Sequence, residues 1–348
     1  MRAARQTLDP IGQRILEIHP TLRCNLRCDH CYSISGPWVR EELDSQVVEQ
    51  VLTDAARMGY EEVSVSGGEP FLCRGLNNIL RHACALGMRT AVTTNGYFLD
   101  PSHLEPLSGY LDMLAISLDG PPEIHNRMRG SPQAFDHLCA GLEYLRSSGV
   151  PFGFIHTITR ESWRHLSWVA EFAAGSGARV LQLHPLEMTG RAENYLKELA
   201  LQESVLSKVY QLSAVLADKY AGAMAIQTKL LHRDQIFAAP DIVYAGEWPN
   251  SPYGTIAASQ LGVLVLEPDG ALVPLSYGFC RRYQVANAME ARLAAAWPEF
   301  FQDTYPAFRR LCRTVFDRLI APDAPLVFNW HEQIAAQSHR GLTGASTA

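Results

Sequence analysis

No uninterrupted apolar segment in this sequence approaches the roughly 18 residues that would span a bilayer, so a helical membrane anchor is excluded. Arg2 and Arg5 are not followed by an apolar stretch, and the first residues, Met1 to Asp9, are therefore not a secretion signal. There is no Lys/Arg-dense run and no basic stripe with interleaved aromatics, and the formal charge is −6, which leaves a nucleic-acid backbone nothing to track. The expected address is cytoplasmic, with neither nucleic acid nor membrane as a partner. Apolar residues at 47% and charged residues at 19% describe an ordinary globular chain. Its 348 residues suffice for one large domain and an appended part.

A chain of this size has no need of disulfide staples, so its eight cysteines read as thiols in a reducing compartment. Three of them crowd into Cys24-Asn25-Leu26-Arg27-Cys28-Asp29-His30-Cys31-Tyr32. Thiolates are the ligands that iron-sulfur clusters and zinc prefer, and ordinary clusters take four of them. Three on so short a loop leave one metal position open, which implies a small-molecule ligand there. The rival reading is a zinc knuckle with His30 as fourth ligand, a non-catalytic zinc-stabilised binding module.

Around this loop, short apolar runs alternate with helical periodicity. Strands are expected over Arg14–His19, Glu62–Ser66, Arg89–Thr94, Asp112–Ser117, Pro151–Thr157 and Arg179–His184. Helices are expected from Asp44-Ser45 to Gly59, over Leu76–Leu86, Ala134–Arg146 and Trp163–Ala174, and as one long stretch over Tyr195–Tyr220. The alternation indicates parallel βαβ units; six of them point to an incomplete barrel, although an open doubly wound sheet fits the pattern as well. In a barrel the strand C-termini carry the chemistry, and the cysteine loop, Gly67-Gly68-Glu69, Thr94-Asn95-Gly96, Ser117 to Asp119 and His156-Thr157 all fall there. Further on, Ala238–Gly254 reads as loop, Pro268-Asp269-Gly270 as a hairpin turn, and Ala288–Trp297 and Ala307–Leu319 as helices.

The cysteine triplet, followed at the next strand end by Gly67-Gly68-Glu69-Pro70, resembles the radical S-adenosylmethionine (SAM) superfamily, in its branch with a SPASM or twitch C-terminal extension. The resemblance implies an α/β fold, a partial (β/α)6 TIM-like barrel with a small α+β extension. The corresponding division is residues 1–225 for the barrel with its cluster and SAM site, 226–336 for the extension and 337–348 for a flexible tail. It further implies one [4Fe-4S] cluster ligated by Cys24, Cys28 and Cys31, whose open iron binds SAM and whose reduction splits SAM to a 5′-deoxyadenosyl radical. Tyr32 resembles the aromatic beside the adenine. Gly67, Gly68, Glu69 and Pro70 match the motif that receives the methionine ammonium, a role glycines and a carboxylate suit. Thr94, Asn95 and Ser117 resemble the ribose-side strand ends, and Arg129 the arginine facing the SAM carboxylate. His156 and Gly190-Arg191-Ala192 fall where relatives shape the adenine pocket.

The sequence departs from that branch after the hairpin, where Leu275 stands in place of a cysteine and only Cys280 and Cys312 remain. Two thiols are too few for an auxiliary four-thiolate cluster, so none is expected, and Cys280 or Cys312 is a candidate hydrogen-atom donor. The resemblance favours a precursor peptide as substrate and an external one-electron donor of the flavodoxin or ferredoxin type. About twenty residues before the cluster loop are too few for a fused leader-binding domain, so a separate leader-binding protein is expected. The alternative within enzymes is a small-molecule substrate: a sugar, an amino acid or a cofactor precursor.

Overall fold

The computed structural model describes residues 14–243 and 261–340. In β1 (Ile15–Ile18) fully buried Leu16 and Ile18 alternate with half-buried Ile15 and Glu17, so one face packs under helices and the other looks into the barrel. The strand–helix unit then recurs through α1 (Ser45–Arg57), β2 (Glu62–Val65), α2 (Leu76–Ala85), β3 (Arg89–Thr94), α3 (Pro101–Leu104), β4 (Met113–Ser117), α4 (Pro122–Arg129), α5 (Ala134–Ser148), β5 (Phe152–Ile158), α6 (Leu166–Gly175) and β6 (Val180–Pro185). Each of these strands pairs in parallel with the next. The chain thus adopts the expected α/β fold, and the open doubly wound alternative, in which strand order reverses at a switch point, does not apply. Helix α1 starts where Asp44 caps it, its carboxylate accepting from the Gln46 amide at 2.8 Å. On the helix side of the sheet, Val63, Val92, Leu114, Phe154 and Leu181 are fully buried, each contributing about 1.5–3 kcal/mol of transfer free energy.

After β6 the helix expected over Tyr195–Tyr220 is broken in two. A short α7 (Ala192–Tyr195) stops where the Leu199 carbonyl accepts from the Arg160 amide at 2.8 Å, and Ala200 and Gln202 are extended before α8 (Glu203–Lys219) begins. A seventh parallel strand, β7 (Ala225–Thr228), lies on β6. There follow β8 (Leu230–His232), α9 (Arg233–Ala238), β9 (Val263–Leu266), β10 (Ala271–Pro274), β11 (Ala286–Asn287), α10 (Leu293–Glu299), α11 (Tyr305–Leu319), β12 (Val327–Asn329) and α12 (Trp330–His339). The hairpin expected about Pro268-Asp269-Gly270 joins β9 to β10, with Gly270 at φ +83°. Strand β9 also pairs in parallel with β1, from Ile15 opposite Val263 to Ile18 opposite Leu266. Residues on both sides of position 225 therefore share one sheet, ordered β11-β10-β9-β1-β2-β3-β4-β5-β6-β7, while β8 and β12 form a separate antiparallel pair.

Gln337 to His339, assigned from sequence to the tail, close helix α12, and the rest of the tail from residue 341 lies outside the described residues. The loop expected over Ala238–Gly254 likewise lies outside them from residue 244. The C-terminal part is tied to the barrel at α1, where the buried Asp54 carboxylate accepts from Arg292 Nε at 3.0 Å and from the Ala294 amide at 3.2 Å. Among the described residues no helix is long and apolar enough to cross a membrane.

Candidate active site

Strand β1 ends at His19 and releases the chain into the cysteine loop at the C-terminal end of the parallel strands. Cys24 and Cys28 are buried, Cys31 is half-buried, and all three are free thiols on the wall of one cavity of about 2830 Å³. Burial pushes the Cys24 thiol up to about 12 and the Cys28 thiol up to about 11, so each keeps its proton until a metal displaces it. Among the described residues no three His, Cys, Asp or Glu side chains gather as ligands of a single ion. A mononuclear zinc site completed by His30 would take all its ligands on one ion, whereas a cubane takes each thiolate on a different iron.

The loop is held by backbone contacts that only glycine permits. The Gly68 amide donates to the Thr21 carbonyl at 2.8 Å and the Glu69 amide to that of Arg23 at 2.9 Å, laying the end of β2 alongside the start of the loop. A Cβ on Gly68 would stand 2.2 Å from the Arg23 carbonyl oxygen, and one on Gly67, at φ +106°, 2.5 Å from that of Thr21. Gly68→Ala is therefore expected to cost about 1–3 kcal/mol of stability, read as a lower urea midpoint; an unchanged midpoint would show that the contact is dispensable.

From the other side Arg191 reaches the same loop, its Nε donating to the Cys28 carbonyl at 2.7 Å and its Nη1 to that of Ser35 at 2.8 Å. Asn95 braces it too, its Nδ2 lying 2.8 Å from Asn25 Oδ1 and 3.8 Å from Cys24 Sγ. Arg129, at the end of α4, is buried with Nη1 4.0 Å from Cys28 Sγ and Nε 2.7 Å from the fully buried carboxylate of Asp119.

Of the residues expected from sequence, Gly67, Gly68, Thr94, Asn95, Ser117, Arg129 and Tyr32 line the cavity with the cysteines. The Tyr32 hydroxyl sits 3.0 Å from His19 Nε2 and 3.2 Å from Ser66 Oγ, and its ring meets Tyr277, from the C-terminal part, edge-on at 5.5 Å. Three further expected residues are not among those lining the cavity. The Glu69 carboxylate is fully buried and accepts from Thr94 Oγ1 at 2.9 Å, the Asn95 amide at 2.9 Å and the Phe71 amide at 3.2 Å, so it ties β2 to β3. Pro70 is buried at the start of a 3-10 turn beneath it. His156 is buried with Nδ1 donating to the Leu118 carbonyl at 2.8 Å, and it is its neighbour Thr157 that lines the cavity. Cys280 is buried off the cavity, whereas Cys312 lines it.

Asp119 was placed at a strand end by the sequence, but its pairing with Arg129 was not, and Tyr277 carries weight that the sequence did not reveal, since no local pattern ties it to a loop nearly 250 residues earlier.

Residues 18–173 match the family model of the Radical SAM superfamily. The chain carries a Radical SAM domain over these residues. It is 31% identical over 183 residues to the AdoMet-dependent heme synthase of Methanosarcina barkeri (strain Fusaro / DSM 804), covering 52% of each chain. It is 29% identical over 180 residues to the sporulation killing factor maturation protein SkfB of Bacillus subtilis (strain 168), covering 51% of this chain and 44% of SkfB. The matches thus span about half the length of these curated relatives. Streptococcus suis SuiB has the same fold, at a TM-score of 0.66 both bound to S-adenosylmethionine and bound to precursor peptide SuiA, with 19% and 17% identity over 86% of this chain and 68% and 67% of SuiB.

Radical SAM proteins use a [4Fe-4S] cluster and SAM, and the residues of this chain fit both. The donor set is three unpaired thiols with no fourth cysteine among the lining residues of the loop, Arg191 adds a cation beside them, and the glycines leave the backbone of β2 bare beside the sulfurs.

Proposed function

We propose that this radical SAM protein holds one [4Fe-4S] cluster through Cys24, Cys28 and Cys31, binds SAM beside it, and abstracts hydrogen from a ribosomally made peptide. The observation that carries the reading is the set of three free thiols at the strand ends, facing one large cavity and gripped from both sides by Gly68 and Arg191. When bound, cluster and SAM supply hydrogen abstraction through reductive cleavage of the sulfonium.

The chain's own residues bind and orient. Gly67 and Gly68 offer bare backbone to the methionine ammonium, and Arg129, fixed by Asp119, faces its carboxylate. Asn95 and Ser117 serve the ribose side; Thr94 spends its hydroxyl on Glu69 and shapes the wall. Tyr32 and Tyr277 form an aromatic edge for the adenine and exclude water from it. Electrons come from an external flavodoxin-type or ferredoxin-type donor.

Two observations support a peptide. The cavity is several times the roughly 300–1,000 Å³ of a small-ligand pocket, which leaves room for an extended segment next to SAM. Its wall also carries Gln182 and His184 from β6, Lys229 after β7 and His331 from α12, a mixture of donors and acceptors suited to amide groups. The SuiB–SuiA complex concerns a precursor peptide by name, and a separate leader-binding protein completes this reading. The second reading, a cofactor precursor, is favoured by the likeness to the heme synthase.

An anaerobic preparation given SAM and dithionite tests the proposal. Four irons per chain and release of 5′-deoxyadenosine are expected, rising with peptides encoded beside the gene and not with tetrapyrroles. Stimulation by a tetrapyrrole alone transfers the assignment to the second reading. Eight irons rule out a single cluster, and a colourless zinc protein ends both.

A further inference from the structure

We infer that Arg191 is the counter-cation of the cysteine loop, a positioning residue whose guanidinium faces the anionic cluster and favours its reduced state. The inference rests on the cluster site proposed above and extends it to a residue delivered from the far end of the barrel.

Three observations on one side chain carry it. Arg191 is only 6% exposed, yet among the described residues no Asp or Glu pairs with it. Arg129 differs in this respect, since Asp119 neutralises it at 2.7 Å. Two prongs of the Arg191 guanidinium are fixed, Nε on the Cys28 carbonyl at 2.7 Å and Nη1 on the Ser35 carbonyl at 2.8 Å, while its own amide donates to the Cys31 carbonyl at 3.0 Å. The remaining prong, Nη2, is buried without a hydrogen-bond partner, and the residue lines the cavity shared with the three cysteines. Carbonyl oxygens satisfy hydrogen bonds but leave the charge uncancelled, and a cation taken out of water without an opposite charge is strongly disfavoured.

The grip is specific in shape as well as charge. Gly190, at φ +59°, brings its backbone so near the loop that a Cβ would meet the Tyr32 carbonyl at 2.4 Å and the Cys31 carbonyl at 2.5 Å. The guanidinium is thereby set against the loop between Cys28 and Cys31, where an anion would complete it. A cubane on three thiolates is such an anion. Uptake of one electron from dithionite adds one more negative charge with no proton required, so a fixed cation beside it shifts the balance toward the reduced form.

The test compares wild type, Arg191→Met and Arg191→Lys, each reconstituted with iron and sulfide without SAM. Iron per chain and the ratio of reduced to oxidised cluster at a fixed poise are measured, the latter by electron paramagnetic resonance, with circular dichroism as the check on folding. Arg191→Met is expected to fold, to keep less than half of the wild-type iron, and to show a ratio about tenfold lower. Arg191→Lys is expected to restore the ratio to within about threefold but not the iron, because an ammonium replaces the charge without the fork that holds two carbonyls. A wild-type ratio in Arg191→Met, or equal displacement in both variants, overturns the inference and leaves Arg191 a staple. If Arg191→Met takes up no cluster, Arg191→Lys decides alone: a ratio near wild type supports the role and one about tenfold lower removes it. A wild type that takes up no iron removes the proposed function and this inference together.

Discussion

Cys28→Ala is expected to fold as the parent does while losing its iron and more than about a hundredfold of its 5′-deoxyadenosine release, since even residues that merely support a metal ligand are typically worth 10–100-fold. The reason for expecting a folded variant is that the loop is held by main-chain oxygens rather than by sulfur. Arg191 grips the Cys28 and Ser35 carbonyls and its amide that of Cys31, and alanine keeps every one of those acceptors. The lost sulfur is buried and protonated in the metal-free chain, so its removal leaves at most a small cavity. Iron per chain, circular dichroism and nucleoside release separate the outcomes; undiminished turnover in this variant would end the assignment of the triplet.

Asp119→Asn is expected to cost about 3–5 kcal/mol in urea unfolding of the metal-free chain, the usual penalty for breaking one side of a buried ion pair. Asp119 is fully buried and Arg129 nearly so, and removing the carboxylate strands the guanidinium in a place it cannot leave. Burial alone would raise the Asp119 carboxyl, but Arg129 first, and then His30, His125 and His156, hold it well below the usual carboxylate range. A carboxyl depressed by folding stabilises the protein at all pH values above its unfolded value of about 3.9, and that stabilisation fades as pH falls through the folded value. Below pH 4 wild type should therefore lose stability faster than Asp119→Asn, and the two curves should converge. Parallel curves, or a difference under about 1 kcal/mol at neutral pH, would mean that Arg129 finds another partner.

The barrel was legible because its units are local. Strands β2, β3 and β4 are short apolar runs cut off at Gly67, Gly96 and Gly120, and the helices between them repeat apolar residues over one face. The cysteine triplet was legible for the same reason, its ligands lying within eight residues. Pairing of β9 with β1 left no local trace, because Val263 to Leu266 would read identically beside any strand. Helix α12 escaped notice because its buried Trp330, Ile334 and Ser338 follow helical spacing but the polar residues between them do not set off a continuous apolar face. The tie that Glu69 makes between β2 and β3 was not legible, because the amides of Phe71 and Asn95 that its carboxylate accepts from are placed by the fold.

Strand β9 lies against the edge of β1, immediately before the segment that carries Cys24. The last quarter of the chain is thus a structural wedge behind the sulfur ligands and not a detachable cap. Excising it would bare a four-residue strip of unsatisfied peptide groups at the root of the metal-binding turn, inviting intermolecular pairing there. A minimal catalytic fragment of this protein cannot be cut out at the end of the barrel.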